Sequence, residues 1–219
     1  MINIALDGPA GSGKSTVAKI IAKDLDILYL DTGAMYRACG LKCKKEGVSV
    51  KDEEKVRPII ENIDLKIEYK DGAQVTVLDG VDVSSEIRKP EISMLASDVS
   101  ALRCVRLKMV EMQRKIAGKM DCVLDGRDIG SFVLPKAEYK YYVTADSKIR
   151  AERRYKELTE RGETVDFDAL HEEIKRRDYN DSHRDFAPLT KAADAKVIDT
   201  SEMTARQVAD EIIADVKER

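Results

Sequence analysis

The chain has 219 residues, a length that fits one large domain with a sizeable buried core. Hydrophobic residues make up 43% of it, which excludes a mainly disordered protein, and a net charge of −3 gives no general attraction to nucleic acid or anionic lipid. The sequence opens without a basic leader and no apolar stretch approaches about 18 residues, so we expect a cytoplasmic protein that is neither secreted nor inserted in a membrane.

The first part of the chain alternates between predicted strands and predicted helices. Apolar residues 2–6 suit a buried strand, a glycine-rich loop follows, and helical spacing of apolar residues then covers 14–25. A second strand at 27–30 is followed by a helix at 34–46, which stops before Gly47. This alternation predicts a parallel sheet that is covered by helices on both faces.

Between residues 48 and 90 the pattern changes to that of a small β-containing insertion. A short helix is predicted at 55–62, and alternating apolar residues separated by turns predict three short strands. We interpret this segment as an inserted lobe rather than a separate domain, because roughly 40 residues rarely fold alone. The predicted strands cover 65–69, 75–77 and 81–83.

The α/β pattern resumes after residue 90 and continues to the end of the chain. The sequence has no internal repeat and no low-complexity tract. The predicted strands cover 122–124, 140–144 and 196–198, and the predicted helices cover 91–100, 104–117, 147–161, 166–182 and 204–217.

The four cysteines are expected to be reduced thiols in a chain of this kind. Cys39 and Cys43 are four residues apart on a predicted helix, which could point two thiolates the same way. The sequence has no C-x-x-C pair, and both histidines lie far from these cysteines. We therefore favour two small apolar helix positions over the alternative, a metal site.

Residues 8–15 fit the phosphate-binding pattern G-x-x-x-x-G-K-[ST] in full, between a predicted strand and a predicted helix. Glycines let backbone N–H groups curl around phosphate oxygens, and the helix N-terminus adds its positive dipole end. Lys14 is expected to reach the β- and γ-phosphates, and the Ser15 hydroxyl to bind Mg²⁺. The predicted ATP-binding residues of this P-loop are Gly8, Pro9, Ala10, Gly11, Ser12, Gly13, Lys14, Ser15 and Thr16.

The chain lacks the further motifs that a GTPase of this type needs. Guanine is specified by N-K-x-D, but none of the asparagines is followed by lysine. The D-x-x-G motif that senses the γ-phosphate is missing as well. We therefore favour a kinase over a GTPase switch.

A predicted helix carries an apolar edge that turns into a charged one. Helical spacing continues from Phe167, Leu170 and Ile174 into three charged positions. Buried charges are costly unless they are paired or bind a ligand, so this edge favours a polar cavity for a phosphorylated, hydroxylated substrate. A structural ion-pair network is the alternative interpretation. The charged positions are Arg177, Asp181 and Arg184.

Two polar groups follow predicted strands at the edge where open α/β sheets bind ligands. Residues 31–33 lead to Tyr36 and Arg37 after the second strand, and residues 125–128 follow a later one. Both groups are expected to lie beside the P-loop. Asp125 has a Walker-B-like position, suited to orienting Mg²⁺ or its waters.

Five segments together match the pattern of a known family. These segments are Leu6-Asp7-Gly8-Pro9-Ala10-Gly11-Ser12-Gly13-Lys14, Asp31-Thr32-Gly33-Ala34-Met35-Tyr36-Arg37, Val83-Ser84-Ser85-Glu86-Ile87-Arg88, Asp125-Gly126-Arg127-Asp128 and Arg184-Asp185-Phe186-Ala187-Pro188-Leu189. Through them the chain resembles the bacterial cytidylate kinases, which are nucleoside monophosphate kinases, over nearly its whole length. The resemblance implies that the protein moves the γ-phosphoryl group of ATP to CMP or dCMP.

The resemblance also implies an organisation of the chain. It predicts a P-loop NTPase-type α/β fold, a parallel sheet flanked by helices, with an inserted monophosphate-binding lobe and a short helical lid. The implied partners are the small molecules ATP and CMP or dCMP, with Mg²⁺ as cofactor and a monomeric state. The implied parts are a core at 1–47, 91–150 and 185–219, the lobe at about 48–90 and the lid region at about 150–184.

Roles for individual residues follow from the resemblance by position. The implied ligands of the acceptor phosphate are Arg37, Arg127 and Arg184, and those of the ribose are Arg177 and Asp181. The implied cytosine-reading group is Ser97, Arg106 and Asp128, with Thr32 and Tyr36 lining the same pocket. The implied catalytic cations are Lys14, Arg127 and the lid arginines Arg150, Arg153 and Arg154. Those three share one helical face, so which of them touches the transferred group stays open.

Two rival functions remain at this stage. Within the kinases, the alternative acceptor is UMP, because the two pyrimidines differ only at ring positions 3 and 4. From another class, the chain could be an ATP-binding regulatory protein that keeps the fold without phosphoryl transfer. The many arginines argue against that second alternative, because a binding module does not need so many convergent cations.

Overall fold

The computed structural model describes residues 1–70 and 72–218. Within them, no helix is both long enough and apolar enough to cross a membrane. The strands are β1 (Asn3–Asp7), β2 (Leu28–Asp31), β3 (Leu65–Lys70), β4 (Ala73–Leu78), β5 (Val81–Asp82), β6 (Cys122–Gly126), β7 (Tyr139–Thr144) and β8 (Lys196–Asp199). The helices are α1 (Lys14–Leu25), α2 (Thr32–Lys45), α3 (Glu53–Glu61), α4 (Pro90–Val99), α5 (Arg103–Ala117), α6 (Ser147–Glu160), α7 (Phe167–His183) and α8 (Ala205–Glu218).

The predicted strands and helices are all present, with ends that shift by one or two residues. The predicted turn between the first two strands of the insertion includes Asp71, which lies outside the described residues. The sequence did not predict a 3₁₀ turn at Glu86–Arg88 or a π-helical turn at Ile129–Val133. The π-helical turn directly follows Arg127 and Asp128, two residues of the candidate site.

The chain folds into two compact units. The flanking unit comprises Ile2–Ile27 and Cys122–Arg219, and the nested unit comprises Leu28–Asp121 together with Met1. The chain thus passes into the nested unit after α1 and returns to the flanking unit at β6. The division into core, lobe and lid that the sequence suggests stays a prediction.

A parallel sheet forms the centre of the flanking unit, with its strands in the order β6, β1, β7, β8. Residues 4–6 of β1 are 0% exposed, as expected for a parallel strand that is covered on both faces. At the end of β1, Asp7 stands opposite Gly126 of β6 and Tyr142 of β7. Three strands therefore present their carboxyl ends at one edge, and the predicted parallel sheet flanked by helices is confirmed.

Helices cover this sheet through apolar faces that recur at helical spacing. In α1, Val17 and Ile21 are buried, and the helix packs against β1, β6 and α8. Helices α6 and α7 pack against each other around a separate buried cluster. That cluster contains Ala151, Leu158, Leu170 and Ile174, with Val165 and Phe167 at its border.

The nested unit is built around α2, which contacts α3, α4, α5 and β4. Strands β3, β4 and β5 form a small antiparallel sheet, in which Leu65 pairs with Leu78 and Val77 with Asp82. Alternating apolar residues explain this sheet, because one face can then be buried while the other meets water. The predicted β-containing insertion is present with three strands.

The cysteines of α2 are ordinary core residues. Cys39 and Cys43 are fully buried, and the Cys39 sulfur lies 3.6 Å from the Met109 sulfur. Burial raises the pKa of both thiols, that of Cys43 to about 11. Among the described residues, no group of three or more His, Cys, Asp or Glu side chains is placed to hold a metal ion. The interpretation as small apolar helix positions fits this environment.

Candidate active site

The P-loop begins directly after β1 and ends in the first turn of α1. Gly8 has a φ of 144°, and a Cβ atom built there would lie 2.0 Å from the Val143 carbonyl oxygen. Gly13, which caps α1, has a φ of 88°. Only glycine tolerates both the close approach and the positive φ without strain. The sequence pattern therefore folds here into the loop that a phosphate-binding site requires.

Lys14 folds back onto the loop that carries it. Its Nζ donates to the Pro9 carbonyl at 2.6 Å and to the Ser12 hydroxyl at 3.2 Å, and the side chain is buried. Burial, followed by the nearby charge of Arg127, lowers the pKa of Lys14 from 10.5 to about 7. An anion at this loop would supply the negative charge that a carbonyl and a hydroxyl do not.

Ser15 and Asp125 bring two oxygen ligands together. The Ser15 hydroxyl donates to the Asp125 Oδ2 atom at 2.5 Å, and Asp125 is buried at the end of β6. Hydroxyl and carboxylate oxygens are the ligands that Mg²⁺ prefers. The arrangement in the flanking unit therefore fits the metal pair that the sequence suggests.

Asp7 ties the end of β1 to the π-helical turn at Ile129–Val133. Its Oδ1 accepts from the Ile129 N–H at 2.6 Å and its Oδ2 from the Gly130 N–H at 2.7 Å. Burial raises the pKa of Asp7 from 3.8 to about 6, against the lowering effect of these two hydrogen bonds. The carboxylate thereby fixes the turn that follows Asp128.

The charged end of the α7 edge lies inside the flanking unit. Asp181 is buried in the same helix as Leu170 and Ile174, and its Oδ2 accepts from the Arg127 Nε at 2.8 Å. Burial alone would raise the pKa of Asp181, but the positive charges of Arg127, Arg177 and Arg184 outweigh it and lower that pKa. The predicted change from an apolar to a charged inward edge is therefore present.

A second ion pair stands beside the first. The side chains of Arg184 and Asp128 are both buried, with 3.5 Å between the Arg184 Nη2 and the Asp128 Oδ1. Arg184 Nε also donates to the Ala187 carbonyl at 2.7 Å. Arg127 and Asp128 are neighbours in the chain, so the two ion pairs bring Arg127, Asp128, Asp181 and Arg184 together. The positive charge of Arg177 also acts on Asp181.

The three arginines of α6 have separate partners, although their spacing predicts one shared face. Arg150 is buried and makes a bidentate ion pair with Asp178. Arg153 donates to the side chain and backbone of Thr200. Arg154 pairs with Glu157 at 2.7 Å, and its side chain is 38% exposed.

In the nested unit, Asp31 organises the start of α2. Its Oδ1 accepts from the Ala34 N–H at 2.9 Å, as an N-cap does. Its Oδ2 accepts from Arg37 at 2.8 Å and from Arg88 at 3.2 Å. Gln74 adds hydrogen bonds to both backbone groups of Asp31. This network holds the guanidinium of Arg37 at the helix start.

Arg106 is the most deeply buried arginine of the candidate set, at 1% exposure. It donates from Nη1 to the Ser100 carbonyl at 3.2 Å, and its guanidinium carbon lies 5.4 Å from the centre of the Tyr36 ring. Ser100 in turn donates to the Ser97 carbonyl at 2.8 Å. Thr32 is buried in the first turn of α2, the helix that also carries Tyr36.

The sequence analysis did not predict four polar residues of the flanking unit as site residues: Asp7, Tyr142, Asp178 and Thr200. Tyr142 lies half-buried within β7, and burial together with the negative charges of Asp178 and Asp7 raises its pKa. Thr200 directly follows β8, so the argument from strand ends that selected Asp125 applies to it as well. Asp7 could have been selected as the one charged residue that ends the apolar opening strand.

Together, the parallel sheet and the P-loop after its first strand define a P-loop protein. A solved shikimate kinase from Bacteroides thetaiotaomicron has this fold, with a TM-score of 0.50, 13% identity and coverage of 99% of this chain and 97% of that chain. At that identity the likeness concerns the fold alone.

Sequence comparison gives the family within this class. The family model for cytidylate kinase matches residues 4–218. A cytidylate kinase from Caldicellulosiruptor bescii is 49% identical over 97% of this chain and 94% of its own length. Another, from Clostridioides difficile, is 49% identical over 97% of both chains. This chain belongs to the cytidylate kinase family.

Proposed function

We propose that the protein transfers the γ-phosphoryl group of ATP to CMP or dCMP, giving ADP and CDP or dCDP. The observation that carries this proposal is a complete P-loop in a chain that matches the cytidylate kinase family from residue 4 to residue 218. The alternative acceptor, UMP, is not favoured, because the family model and the curated relatives are those of cytidylate kinases.

On the donor side, the P-loop binds the phosphates of ATP and Lys14 neutralises the group that moves. Ser15 and Asp125 would hold Mg²⁺, whose chemistry when bound is to neutralise the oxygens of the β- and γ-phosphates. Backbone N–H groups and the dipole of α1 contribute to phosphate binding. The proposed ATP-binding residues are Gly8, Pro9, Ala10, Gly11, Ser12, Gly13, Lys14, Ser15 and Thr16.

On the acceptor side, each role is carried over from the family resemblance. The proposed ligands of the acceptor phosphate are Arg37, Arg127 and Arg184, and those of the ribose are Arg177 and Asp181. The proposed cytosine-binding residues are Ser97, Arg106, Asp128, Thr32 and Tyr36. The ion pair of Arg127 with Asp181 supports two of these roles, because it aligns a guanidinium that a phosphate can bind.

The reaction needs alignment and charge rather than a general base. A phosphate monoester has a second pKa of about 6, so most CMP is already a dianion at neutral pH. Lys14, Arg127 and one or more of Arg150, Arg153 and Arg154 would stabilise the oxygens of a loose transition state. Closure of the lid region would exclude water, which otherwise competes with CMP as the acceptor.

A cytoplasmic location and a monomeric state are further parts of the proposal. The four cysteines are free thiols, as suits a reducing compartment. The monomeric state rests on the family resemblance. The proposed division into core, lobe and lid rests on it as well.

Transfer itself tests the proposal. Incubation with γ-labelled ATP and CMP should move the label into CDP, and dCMP should accept it too. An ATP-binding regulatory protein would bind the nucleotide but leave the label on ATP or release it as inorganic phosphate. That second result would overturn the proposal, while binding alone would not support it.

A further inference from the structure

Two carbonyl groups of the P-loop are held from outside the loop. The Ala10 carbonyl accepts from the Arg150 Nη1 at 3.0 Å, and the Ser12 carbonyl accepts from the Thr200 hydroxyl at 3.1 Å. The Pro9 carbonyl is bound from within the loop by Lys14 and Ser12. Three carbonyls of the loop thus have fixed directions.

A fixed carbonyl also fixes an N–H group, because the peptide unit is planar and trans. The carbonyl of one residue and the N–H of the next then point in opposite directions. Holding the Ala10 carbonyl outward therefore turns the Gly11 N–H inward, and holding the Ser12 carbonyl does the same for the Gly13 N–H. Inward N–H groups are the donors that a P-loop offers to phosphate.

The guanidinium group of Arg150 is held in place by hydrogen bonds to other protein groups. Its Nε donates to the Ala145 carbonyl at 2.9 Å, and its Nη1 donates to Asp178 as well as to Ala10. The Nη2 donates to the other Asp178 oxygen at 2.5 Å. These bonds use four of the five N–H donors of the guanidinium. Asp178, on α7, therefore sets where Arg150 points.

Helix α6 lies so close to the P-loop at Gly11 that a side chain at this position would crowd Arg150. A Cβ atom built on Gly11 would lie 3.3 Å from the Arg150 Cβ, and Gly11 has a φ of 77°. The start of α6 thus lies close to Gly11, and the Arg150 side chain contacts the loop at the Ala10 carbonyl. A displacement of Arg150 would therefore also displace the Ala10 carbonyl that it binds.

Thr200 makes the corresponding contact from the end of β8. It is 3% exposed, and its hydroxyl accepts from the Arg153 Nη1 at 3.0 Å while donating to Ser12. Its own N–H donates to the Thr144 carbonyl at 2.8 Å, which anchors it to β7. With the Arg153 hydrogen bond in place, the single hydroxyl proton is left for the Ser12 carbonyl.

We propose that Thr200 and Asp178 are positioning residues for the P-loop. Thr200 orients the Gly13 N–H group by binding the Ser12 carbonyl. Asp178 orients the Gly11 N–H group through Arg150, which binds the Ala10 carbonyl. Both residues thereby affect the binding of the ATP triphosphate without contacting it. This inference rests on the proposed function, since it names which residues prepare the donor site. It also gives Arg150 a positioning role in place of contact with the transferred group.

Thr200→Val removes the hydroxyl at nearly constant volume, and Thr200→Ser keeps it. We expect Thr200→Val to raise the KM for ATP by roughly 3-fold to 10-fold and to lower kcat, the effect of one lost hydrogen bond. The KM for CMP should stay within about twofold of the wild-type value, and Thr200→Ser should restore the KM for ATP. Thr190→Val is the control, because Thr190 is exposed and its hydroxyl donates to the nearby Pro188 carbonyl.

Asp178→Asn gives an independent second variant. It should also raise the KM for ATP and spare that for CMP, whereas Asp194→Asn, which weakens the ion pair with Lys140, should lower the melting temperature without changing either KM. If Thr200→Val and Asp178→Asn lose melting temperature while their KM for ATP and kcat stay at wild-type values, the inference is wrong. Should Thr200→Val fail to fold, the Asp178→Asn result decides alone.

Calorimetry with ATP and Mg²⁺, without an acceptor, separates this inference from the proposed function. Weaker ATP binding by Thr200→Val than by Thr200→Ser supports the positioning role even if CMP proves not to be the acceptor. Equal ATP binding by the two variants contradicts it even if the wild-type protein phosphorylates CMP.

Discussion

Lys14 is a buried cation whose two hydrogen-bond partners, the Pro9 carbonyl and the Ser12 hydroxyl, are both neutral. The sequence led us to expect that Lys14 reaches the phosphates, and the structure adds that the side chain is only 4% exposed. Sequence motifs identify the residue type that phosphate needs, but they do not say which protein groups its side chain contacts. A bound triphosphate would supply the anion that favours the charged form of Lys14.

Replacement of Lys14 by Ala should lower kcat by at least about 10²-fold to 10³-fold, because it removes a cation from the transferred phosphoryl group. The fold should survive, since Ser12 still donates to the Pro9 carbonyl at 3.1 Å. Steady-state kinetics and a thermal melt together check this. Near-normal turnover in a folded Lys14→Ala protein would contradict the mechanism.

The raised pKa of Asp7 predicts how the free energy of unfolding depends on pH. Its pKa is about 6 in the folded protein against 3.8 as its usual value, so between about pH 4 and pH 6 the folded state binds more protons than the unfolded state. The free energy of unfolding therefore falls as the pH rises through this range. Asparagine does not titrate, so Asp7→Asn lacks this contribution.

We expect the wild-type protein to lose about 2–3 kcal/mol of stability relative to Asp7→Asn between pH 4 and pH 7. Chemical denaturation of both proteins at several pH values measures the difference, in which the titration of all other groups cancels. A difference that stays constant, or that grows in favour of the wild type as the pH rises, would show that Asp7 is not held with a raised pKa.

At the scale of elements, the fold was largely predictable because each element carries a local period. The run at β1 and the spacing of Val17 and Ile21 in α1 specify a strand and a helix without tertiary information. The π-helical turn at Ile129–Val133 was not predictable in this way. It depends on two hydrogen bonds to Asp7, which lies more than 120 residues earlier in the chain.

In the candidate site, too, local periodicity did not predict contacts between residues that are far apart in the sequence. The helical period correctly placed Asp181 on the inward edge of α7, yet it grouped three arginines of α6 that in fact have different partners. A period gives the face of a helix but not the distant group that meets each side chain. Thr200 and Asp178 were missed because their contacts join residues far apart in sequence.

Asp181→Ala tests the functional interpretation of the α7 edge. We expect a higher KM for CMP with an almost unchanged KM for ATP, because Arg127 loses the carboxylate that aligns it for the acceptor. The melting temperature should fall as well, since the variant leaves a guanidinium without its partner. Kinetic titration of each substrate beside a thermal melt separates the two effects.

The matched control is Asp194→Ala, which removes the carboxylate of another ion pair in the same unit. It should lower the melting temperature and leave both KM values intact. If Asp181→Ala behaves in that way too, the charged edge of α7 is a structural ion-pair network, and its proposed role in CMP binding is wrong.

At the scale of the whole molecule, we expect the protein to phosphorylate cytidine nucleotides in preference to uridine nucleotides. Cytosine offers an exocyclic amine as donor and an unprotonated ring N3 as acceptor, whereas uracil reverses both. A carboxylate such as Asp128 suits the amine, and a guanidinium such as Arg106 suits the acceptors. With uracil the proposed contacts of these two groups to the base would be mismatched, at a cost of about 1–3 kcal/mol each.

The ratio of kcat/KM for CMP to kcat/KM for UMP, measured with ATP in a coupled assay, tests this claim most directly. Two mismatched groups predict a preference for CMP of roughly 30-fold to 10⁴-fold. Neither group reads the 2′-hydroxyl, so dCMP should also be a substrate. Equal kcat/KM values for CMP and UMP would contradict the assignment of the base, and no transfer to either would contradict the account as a whole.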